Sequence, residues 1–353
     1  MTENAVLHLI ASSKFGGGSK HILLLSKLDG LKNKSIFAVQ ENSYLDQELG
    51  INAHKVRITH RLTHLISFAQ IFYNIHLHSI KVIHAHGRGA AAIARFIKLI
   101  KLGRIKIIYT LHGVHKEFNS TLFYILYKFY EIIFSRLDDH RVFVSESEER
   151  EYCKFQQKAD RGRHKIIYNA IENGSMDTST SNTYDIGVLT RFHAQKNLRR
   201  FVKIAKLLPE YSFVIGGDGP EYNKINDLIS LENIKNVKLL GYCSDPSKFM
   251  KSIRVYLSTS LWEGMPYSVL EAISHNKPIV LSNVVGHQDF RSGRIDANFY
   301  DTDNNAAEIL RNLLKRKEEY EKAVQVSQTL QSKFSYTTFK KDMTNLYLGI
   351  LKR

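Results

Sequence analysis

Cysteine is scarce in this sequence of 353 residues, since Cys153 and Cys243 are the only two. Two cysteines exclude a disulfide scaffold and a cysteine-rich zinc module, and they are typical of a reducing compartment. No uninterrupted apolar run reaches the roughly 18 residues of a membrane span. The opening Met-Thr-Glu-Asn lacks the basic start of a secretory signal. These absences predict a cytoplasmic protein that is soluble or held on a membrane face.

Acidic residues are missing from one long stretch, because no Asp or Glu lies between Glu48 and Glu117. The same stretch holds eleven Lys and Arg and nine His, and the whole chain carries a formal charge of +16. Such a surface attracts anions, whether lipid head groups, sugar phosphates or nucleic acid. A solvated basic face without a specific partner is the other interpretation.

Short apolar runs alternate with amphipathic stretches, and the series restarts near the middle of the chain. The predicted strands are Val6–Ala11, Ser35–Val39, Lys81–His84, Lys106–Thr110, Arg141–Ser145, Ile186–Thr190, Ser212–Ile215, Val237–Leu240, Val255–Ser258 and Pro278–Leu281. Helical stretches such as Leu62–Leu77 and Ala90–Leu102 separate them. The alternation predicts an α/β fold class with two Rossmann-like, doubly wound domains. They join at Asn173–Thr183, the segment poorest in apolar residues, and the joint predicts a cleft between them.

Two carboxylates separated by seven residues form the strongest motif, in Leu261-Trp262-Glu263-Gly264-Met265-Pro266-Tyr267-Ser268-Val269-Leu270-Glu271-Ala272. Gly264 and Pro266 predict a loop and Tyr267 a helix start, with Glu263 before the helix and Glu271 about two turns inside it. Amides at a helix start bind anions, and a nearby carboxylate accepts hydrogen bonds from sugar hydroxyls. By spacing alone, a helix-start charge plus an ordinary surface Glu is the more common explanation.

Two cations, Arg191 and Lys196, follow the first predicted strand of the second domain. A guanidinium fork and a compact ammonium there neutralise a diphosphate, unless both are simply solvated. The glycine-rich turns Ile215–Pro220 and Phe15–Ser19 also follow strands, and glycine allows a ligand close to the backbone. A tight strand-to-helix turn explains both equally well, and the second matches neither G-x-G-x-x-G nor a P-loop.

Histidines are frequent in the first half of the chain. His112, before Gly113, follows a predicted strand and can donate to a ligand oxygen, although a lone His is more often structural. We expect no metal site, because no acidic ligand lies near the histidines of the acid-free stretch in sequence. The four of them considered as metal ligands are His76, His78, His84 and His86.

A basic amphipathic helix is predicted at 90–102, with apolar residues recurring at helical spacing. The basic residues proposed to meet an anionic membrane or an acceptor are Arg88, Arg95, Lys98 and Lys101. Such a helix can lie on an anionic membrane leaflet, or it can cover the sheet with a solvated basic face. The aromatic run 123–130 has the same two interpretations, membrane surface or core helix.

These motifs, in this order, resemble the retaining GT-B glycosyltransferases of family GT4, the glycosyl transferases group 1. The family's E-x7-E element matches Glu263 through Glu271, and its diphosphate clamp matches Arg191 and Lys196. The turn Gly217-Asp218-Gly219-Pro220, the first glycine loop, the Leu-His-Gly element and Val144-Ser145-Glu146 match as well. Thr190 departs from the family, which usually has Gly before the Arg.

The resemblance implies domains at 1–172 and 173–334, the first for the acceptor and the second for a nucleotide sugar, and a helix at 335–353 that returns to the first domain. Arg191 and Lys196 would stabilise the departing nucleoside diphosphate without a metal or other cofactor. Glu271 would bind the ribose hydroxyls and Glu263 those of the donor sugar. The other implied donor contacts are His112, Gly17, Gly18, Gly217, Gly219, Tyr242, Gly264, Met265, Pro266, Tyr267, Ser268 and Val269.

The implied activity is retaining transfer of a hexose or N-acetylhexosamine from a nucleotide sugar, most commonly UDP-linked, to a glycan or lipid-linked acceptor of the cell surface. The basic charge favours an enzyme peripheral to the cytoplasmic face of the inner membrane. A GT-B sugar-nucleotide epimerase is an alternative. A non-catalytic GT-B subunit and a basic protein that binds nucleic acid or membranes are others, although the chain lacks a recognised nucleic-acid module.

Overall fold

The chain forms two compact units in the computed structural model. The first combines Met1–Asn169 with Thr337–Arg353, and the second is Ala170–Tyr336. The structure describes residues 6–14, 16–28, 34–50, 53–58, 65–101, 103–113, 121–154, 162–171, 183–292 and 295–351. The predicted linker 173–183 lies outside the described residues, apart from Thr183.

A seven-stranded parallel sheet, in the order β3-β2-β1-β4-β5-β6-β7, forms the first unit. Its strands are β1 (Val6–Ile10), β2 (Ser35–Gln40), β3 (Lys55–Ile58), β4 (Val82–His86), β5 (Lys106–Thr110), β6 (His140–Phe143) and β7 (His164–Ile166). Its helices up to the second unit are α1 (Gly17–Ser26), α2 (Tyr44–Glu48), α3 (Leu65–Leu77), α4 (Arg88–Ile100), α5 (Thr121–Phe134) and α6 (Glu146–Cys153). The strand order reverses between β1 and β4, where doubly wound sheets bind their ligands.

The edge strands of this sheet carry a weak sequence signal. The interior strands β1 and β4 are buried along their whole length, and most of their residues are apolar, as in other buried parallel strands. At the two edges, β3 alternates Lys55 and Arg57 with apolar residues, and β7 has three residues. The sequence analysis therefore did not predict β3 and β7.

A six-stranded parallel sheet, in the order β10-β9-β8-β11-β12-β15, forms the second unit beside a small antiparallel pair, β13-β14. The strands are β8 (Tyr184–Leu189), β9 (Phe213–Gly216), β10 (Val237–Gly241), β11 (Ile253–Ser258), β12 (Ile279–Ser282), β13 (Arg291–Ser292), β14 (Ile295–Asp296) and β15 (Asn298–Tyr300). The helices are α7 (Leu198–Lys206), α8 (Tyr222–Leu231), α9 (Pro246–Ser252), α10 (Tyr267–Ser274), α11 (Asp303–Lys315) and α12 (Lys317–Lys333). The order reverses between β8 and β11.

The last helix, α13 (Tyr336–Leu351), supplies residues to the first unit from its second residue onward. Its buried side chains are Phe339, Met343, Leu346, Tyr347 and Ile350. The hydroxyl of Tyr347 lies 2.6 Å from Nδ1 of His84 on β4. Leu348 is 44% exposed, whereas the neighbouring Tyr347 is buried and its hydroxyl has a polar partner in His84.

Candidate active site

Two loops of the second unit meet where its strand order reverses, one after β8 and one after β11. The amide of Leu261 donates to the carbonyl of Gln195 over 2.8 Å. The hydroxyl of Thr259 donates to the carbonyl of Lys196 over 2.9 Å. These contacts join two segments that are more than sixty residues apart in sequence. The reversal point is thereby lined by residues from both loops.

The central contact of this site is an ion pair between Lys196 and Glu263. The Lys196 Nζ lies 2.5 Å from Oε1 of Glu263, whose residue is only 6% exposed. The Ser260 hydroxyl donates to the same carboxylate over 2.6 Å, and Nε2 of Gln195 lies 3.3 Å from its other oxygen. The carboxylate is therefore fixed in position, and the ammonium, with three donors, keeps others for a ligand.

Arg191 lies on the same segment as Lys196, between β8 and the short 3-10 turn Ala194–Lys196, and its side chain is exposed. The helix start predicted at Tyr267 is confirmed, since α10 begins there, with Glu263 in the preceding loop. Glu271 is the fifth residue of the helix, so it lies a little more than one turn inside and not two.

The buried residues of the Glu263–Glu271 motif restrict how it can contact a ligand. Met265, Tyr267 and Val269 are at most 8% exposed, so their side chains belong to the core and only their backbone is suited to ligand contact. The first turn of α10 directs its amides toward this edge of the sheet, as any helix start does. Gly264, Pro266 and Ser268 lie in the same loop and first turn.

The glycine turn after β9 packs directly against the loop that carries Arg191. A Cβ on Gly217 would overlap the carbonyl oxygen of Thr190, and one on Gly219 would lie 2.5 Å from the carbonyl oxygen of Phe192. Both glycines also have positive φ angles, of 126° and 154°. The two turns can approach this closely only because these positions lack side chains. Tyr242, after β10, is 63% exposed.

In the first unit, the predicted residues lie on the loops after β1 and β5. Gly17 and Gly18 are the first residues of α1, and His112 follows β5 with a φ of 60°. The amide of Gly113 donates to the carboxylate of Glu148, which also accepts from the amide of Val144 over 2.8 Å. Glu148 is fully buried, so it fixes the backbone next to His112.

His112 belongs to a histidine cluster, which we define as His8, His21, His84, His86 and His112. The chain of contacts runs from Nδ1 of His8 to Nε2 of His86 over 3.3 Å, and from Nδ1 of His86 to Nε2 of His112 over 3.3 Å. Burial lowers the pKa of His21 to about 4, against its hydrogen bond to Asn169. Burial also lowers the pKa of His8 to about 3 and that of the other three well below the usual value. The cluster is neutral at physiological pH.

The model of the glycosyl transferases group 1 matches residues 177–329, and that of glycosyltransferase family 4 matches residues 15–173. The chain belongs to the family 4 glycosyltransferases. The first range includes Arg191, Lys196 and both carboxylates of the Glu263–Glu271 motif, and the second includes His112.

Curated relatives of this glycosyltransferase align over part of their length. UDP-Gal:alpha-D-GlcNAc-diphosphoundecaprenol alpha-1,3-galactosyltransferase of Escherichia coli is 28% identical over 58% of this chain and 58% of its own. An uncharacterised glycosyltransferase of Methanocaldococcus jannaschii is 31% identical over 39% of this chain and 38% of its own. The chain thus spans between about two fifths and three fifths of the length of these relatives.

Solved structures match the whole chain. HepE from Anabaena, in complex with UDP and glucose, has a TM-score of 0.82 at 16% identity and covers 98% of this chain and 100% of its own. Sucrose-phosphate synthase from Thermosynechococcus elongatus has a TM-score of 0.81 at 14% identity, and the match covers 99% of this chain and 100% of the synthase. At such identities the likeness concerns the fold, and it confirms the predicted GT-B fold class.

The predicted basic face of α4 is wrong for Arg95 and Lys98. Arg95 is 1% exposed and contacts Glu131 at 2.9 Å and Asp138 at 2.7 Å. Lys98 contacts Asp139 at 2.6 Å. Acidic residues that follow the acid-free stretch in sequence therefore neutralise part of its positive charge through ion pairs in the folded protein. Of the other two candidates, Arg88 lies 5.1 Å from the ring centre of Tyr127 and Lys101 4.7 Å from that of Phe72.

Helices α4 and α5 expose apolar side chains. Six residues of α5 share one face at helical spacing and are each at least 41% exposed: Leu122, Ile125, Leu126, Phe129, Ile132 and Ile133. On α4, Phe96, Leu99 and Ile100 are 46–54% exposed. In the part of the chain that the structure describes, no helix meets the length and hydropathy needed to cross a membrane.

Three side chains that position the site were missed by the sequence analysis: Gln195, Ser260 and Glu148. Glu148 did carry a signal, because Ser145-Glu146-Ser147-Glu148 has the S-x-x-E spacing of a capping box. Ser145 indeed caps α6. The Glu148 carboxylate, however, reaches the amides of Gly113 and Val144. Gln195 and Ser260 had no such signal, because their partner Glu263 is set by the tertiary fold.

Proposed function

We propose that this glycosyltransferase moves a hexosyl or N-acetylhexosaminyl group from a UDP-linked sugar to a glycan or lipid-linked acceptor of the cell surface, with retention of configuration. The contact between Lys196 and Glu263 carries the proposal, because it places a cation and a fixed carboxylate side by side at the reversal point of a sheet. A nucleotide sugar presents a diphosphate to the cation and hydroxyls to the carboxylate. Glu271 would bind the ribose hydroxyls from the second turn of α10.

Departure of the diphosphate is the step that the site is built to assist. Lys196, Arg191 and the amides at the start of α10 would surround it with preorganised positive charge, which stabilises charge developing in the transition state. These groups would place positive charge at the diphosphate, which is the role that a bound divalent cation has in other enzymes. We therefore propose that the transfer requires no metal on the diphosphate and no cofactor.

The proposed reaction breaks the bond between the sugar C1 and the phosphate oxygen and forms one between C1 and an acceptor hydroxyl oxygen on the same face. The proton of that hydroxyl passes to the departing phosphate oxygen. An oxocarbenium-like state between the two steps needs no carboxylate nucleophile. Glu263 would orient the sugar through its hydroxyls, and His112 of the first unit would contact the sugar near C1.

The known relatives support this choice of donor and acceptor. The E. coli relative is named for a UDP-Gal donor and an acceptor linked to diphosphoundecaprenol, and it forms an alpha-1,3 product. Another relative from E. coli, 25% identical over 59% of this chain, is named as an O-antigen biosynthesis glycosyltransferase. We therefore propose a lipid-linked acceptor in surface polysaccharide synthesis.

A lipid-linked acceptor requires access to a membrane surface, and we propose that the exposed apolar face of α5 provides it. A helix with such a face lies in the membrane interface with its apolar side chains among the acyl chains. The face replaces the basic side of α4 in this role, since Arg95 is buried against acidic residues. The protein would then act at the cytoplasmic face of the membrane without spanning it.

The test is product analysis with the purified full chain. It is incubated with radiolabelled UDP-Gal, UDP-Glc or UDP-GlcNAc, each with and without a synthetic polyprenyl-diphosphate sugar, and with a chelator in parallel. We expect an α-linked glycolipid from one donor, only with acceptor and undiminished by the chelator. Free sugar or an epimerised nucleotide sugar without glycolipid would contradict the proposal. Loss of product with the chelator would contradict the metal-independent mechanism.

A further inference from the structure

The ring of His21 presents a buried nitrogen that no described residue satisfies. Its Nδ1 lies 3.0 Å from Oδ1 of Asn169, so this nitrogen carries the proton and Nε2 presents a lone pair. Nε2 is fully buried and has no hydrogen-bond partner in the described part of the chain. An unsatisfied buried polar atom is destabilising, so a ligand at this position would be stabilising.

Two further imidazoles lie close to that of His21. One ligating nitrogen each from His21, His86 and His112 lies within 4.8 Å of the others. Nδ1 of His86 and Nε2 of His112 are 3.3 Å apart, longer than the roughly 2.9–3.0 Å of a typical N–H hydrogen bond. Zinc binds imidazole at about 2.0–2.1 Å, and the edge of such a tetrahedron measures about 3.3–3.4 Å. The observed spacing suits two ligands of one ion.

The two other groups of possible metal ligands among the described residues are less suited. In the group His8, His84 and His86, both nitrogens of His84 are engaged, with the Tyr347 hydroxyl at 2.6 Å and the Thr110 hydroxyl at 2.7 Å. In the group Glu149, Cys153 and His164, the imidazole is already paired with Glu149 at 3.0 Å and has a guanidinium on its other side. Neither group contains an orphaned nitrogen.

We infer that His21, His86 and His112 bind a transition-metal ion of the Zn²⁺ class. Three neutral imidazoles with an open fourth position are an established zinc ligand set. His112 is partly exposed, so an ion can enter from its side. The site lies within the first unit. A bound ion would occupy the imidazole of His112 and compete with the donor sugar for it.

Direct metal titration tests this inference. The full chain, without a histidine tag and freed of metal, is titrated with Co²⁺ and examined by visible spectroscopy and equilibrium dialysis, and Zn²⁺ is then added to displace the Co²⁺. We expect one ion per chain and the intense visible absorption of tetrahedral Co²⁺. Absence of stoichiometric binding of both ions would overturn the inference.

Four variants separate the three groups. His21→Gln and His112→Asn should weaken Co²⁺ binding about 100-fold or more, since loss of a second-shell partner alone costs 10–100-fold. Asn tolerates the positive φ at residue 112, so this variant keeps its backbone even if His21→Gln does not fold. His84→Gln and Cys153→Ser should bind Co²⁺ normally. Retained binding in His112→Asn, or loss in folded His84→Gln or Cys153→Ser, would refute the assignment. Activity is not measured, so the result is independent of the proposed function.

Discussion

The two parallel sheets reverse their strand order in the same way, but they place different chemistry at the point of reversal. Between β8 and β11, the second unit places a permanent ion pair, Lys196 with Glu263. Between β1 and β4, the first unit places neutral imidazoles, with His8 3.3 Å from His86. The shared topology determines where functional side chains gather, and the local sequence determines whether these side chains are charged or neutral. Each prediction below tests one side of this comparison.

Acid should destabilise the first unit much more than the second. The five clustered histidines have lowered pKa values when folded, so the unfolded chain binds more protons below about pH 6.5. Stability is complete above that pH and falls as the pH drops toward 4 and 3, the values of His21 and His8. The free energy of unfolding then decreases by up to about 1.4 kcal/mol per pH unit for each histidine. In the second unit, burial lowers the pKa of His287.

Trp262 makes this difference measurable, because it is the sole tryptophan and lies in the second unit. Urea unfolding at pH 7.5 and 5.5 is followed by Trp262 fluorescence and by far-UV circular dichroism, which reports both units. The dichroism midpoint should fall further than the fluorescence midpoint at low pH. Equal shifts of both midpoints would show that the histidine cluster does not distinguish the units.

Arg95→Ala should destabilise the first unit by about 3–5 kcal/mol, because it leaves the buried carboxylate of Glu131 without its guanidinium and removes one of the two guanidinium partners of Asp138. Hydrogen exchange measured by mass spectrometry should show reduced amide protection in β5 and α5 and unchanged protection in the second unit. Arg199→Ala, at an exposed position of α7, is the matched control and should change stability by less than about 0.5 kcal/mol. A similarly small effect of Arg95→Ala would mean that its ion pairs contribute little.

Lys196→Ala should lower kcat by about 10²–10³, the effect of removing one preorganised group from a developing negative charge. Lys203→Ala removes an exposed lysine from α7 in the same unit and should leave kcat unchanged. Both are assayed by glycolipid formation, with circular dichroism to verify folding. Equal activity of the two variants would mean that charge at the second reversal point does not assist transfer.

Replacing Leu126 and Phe129 together by Asp should weaken binding to anionic liposomes at least about tenfold, since burial of each side chain contributes roughly 1.5–3 kcal/mol. Leu231→Asp, on α8 of the second unit, changes an 85% exposed leucine and serves as the control. Co-sedimentation with the liposomes measures the binding of both variants. If the two proteins sediment alike, the apolar face of α5 does not bind the membrane, and the first unit loses its proposed role there.

The sequence predicts the strands of this protein better than the contacts of its charges. Lys106–Thr110 was predicted to the residue, because a strand buried in a parallel sheet is a continuous apolar run. Arg95 was misplaced because helical periodicity counts apolar residues, while its burial depends on Glu131 and Asp138, which lie 36 and 43 residues away. The partners of Glu263 were missed for the same reason.

The histidines illustrate the same limit. His84 and His86 were judged as metal ligands by the acids near them in sequence, and His8 and His21 were not considered. In the fold, β1, β4, α1 and the loop after β5 bring together imidazoles that are far apart in sequence. Proximity of this kind follows from strand order, which the apolar pattern alone does not specify.

The return of α13 to the first unit has a consequence for biosynthesis. The second unit is one uninterrupted stretch of chain, whereas the first needs a segment that leaves the ribosome after the whole second unit. His84 gains the hydroxyl of Tyr347 only after the second unit has been synthesised. The second unit can thus finish folding during synthesis while the first waits with part of its interior open, and nascent chains that stall before residue 337 would be the natural targets of chaperones.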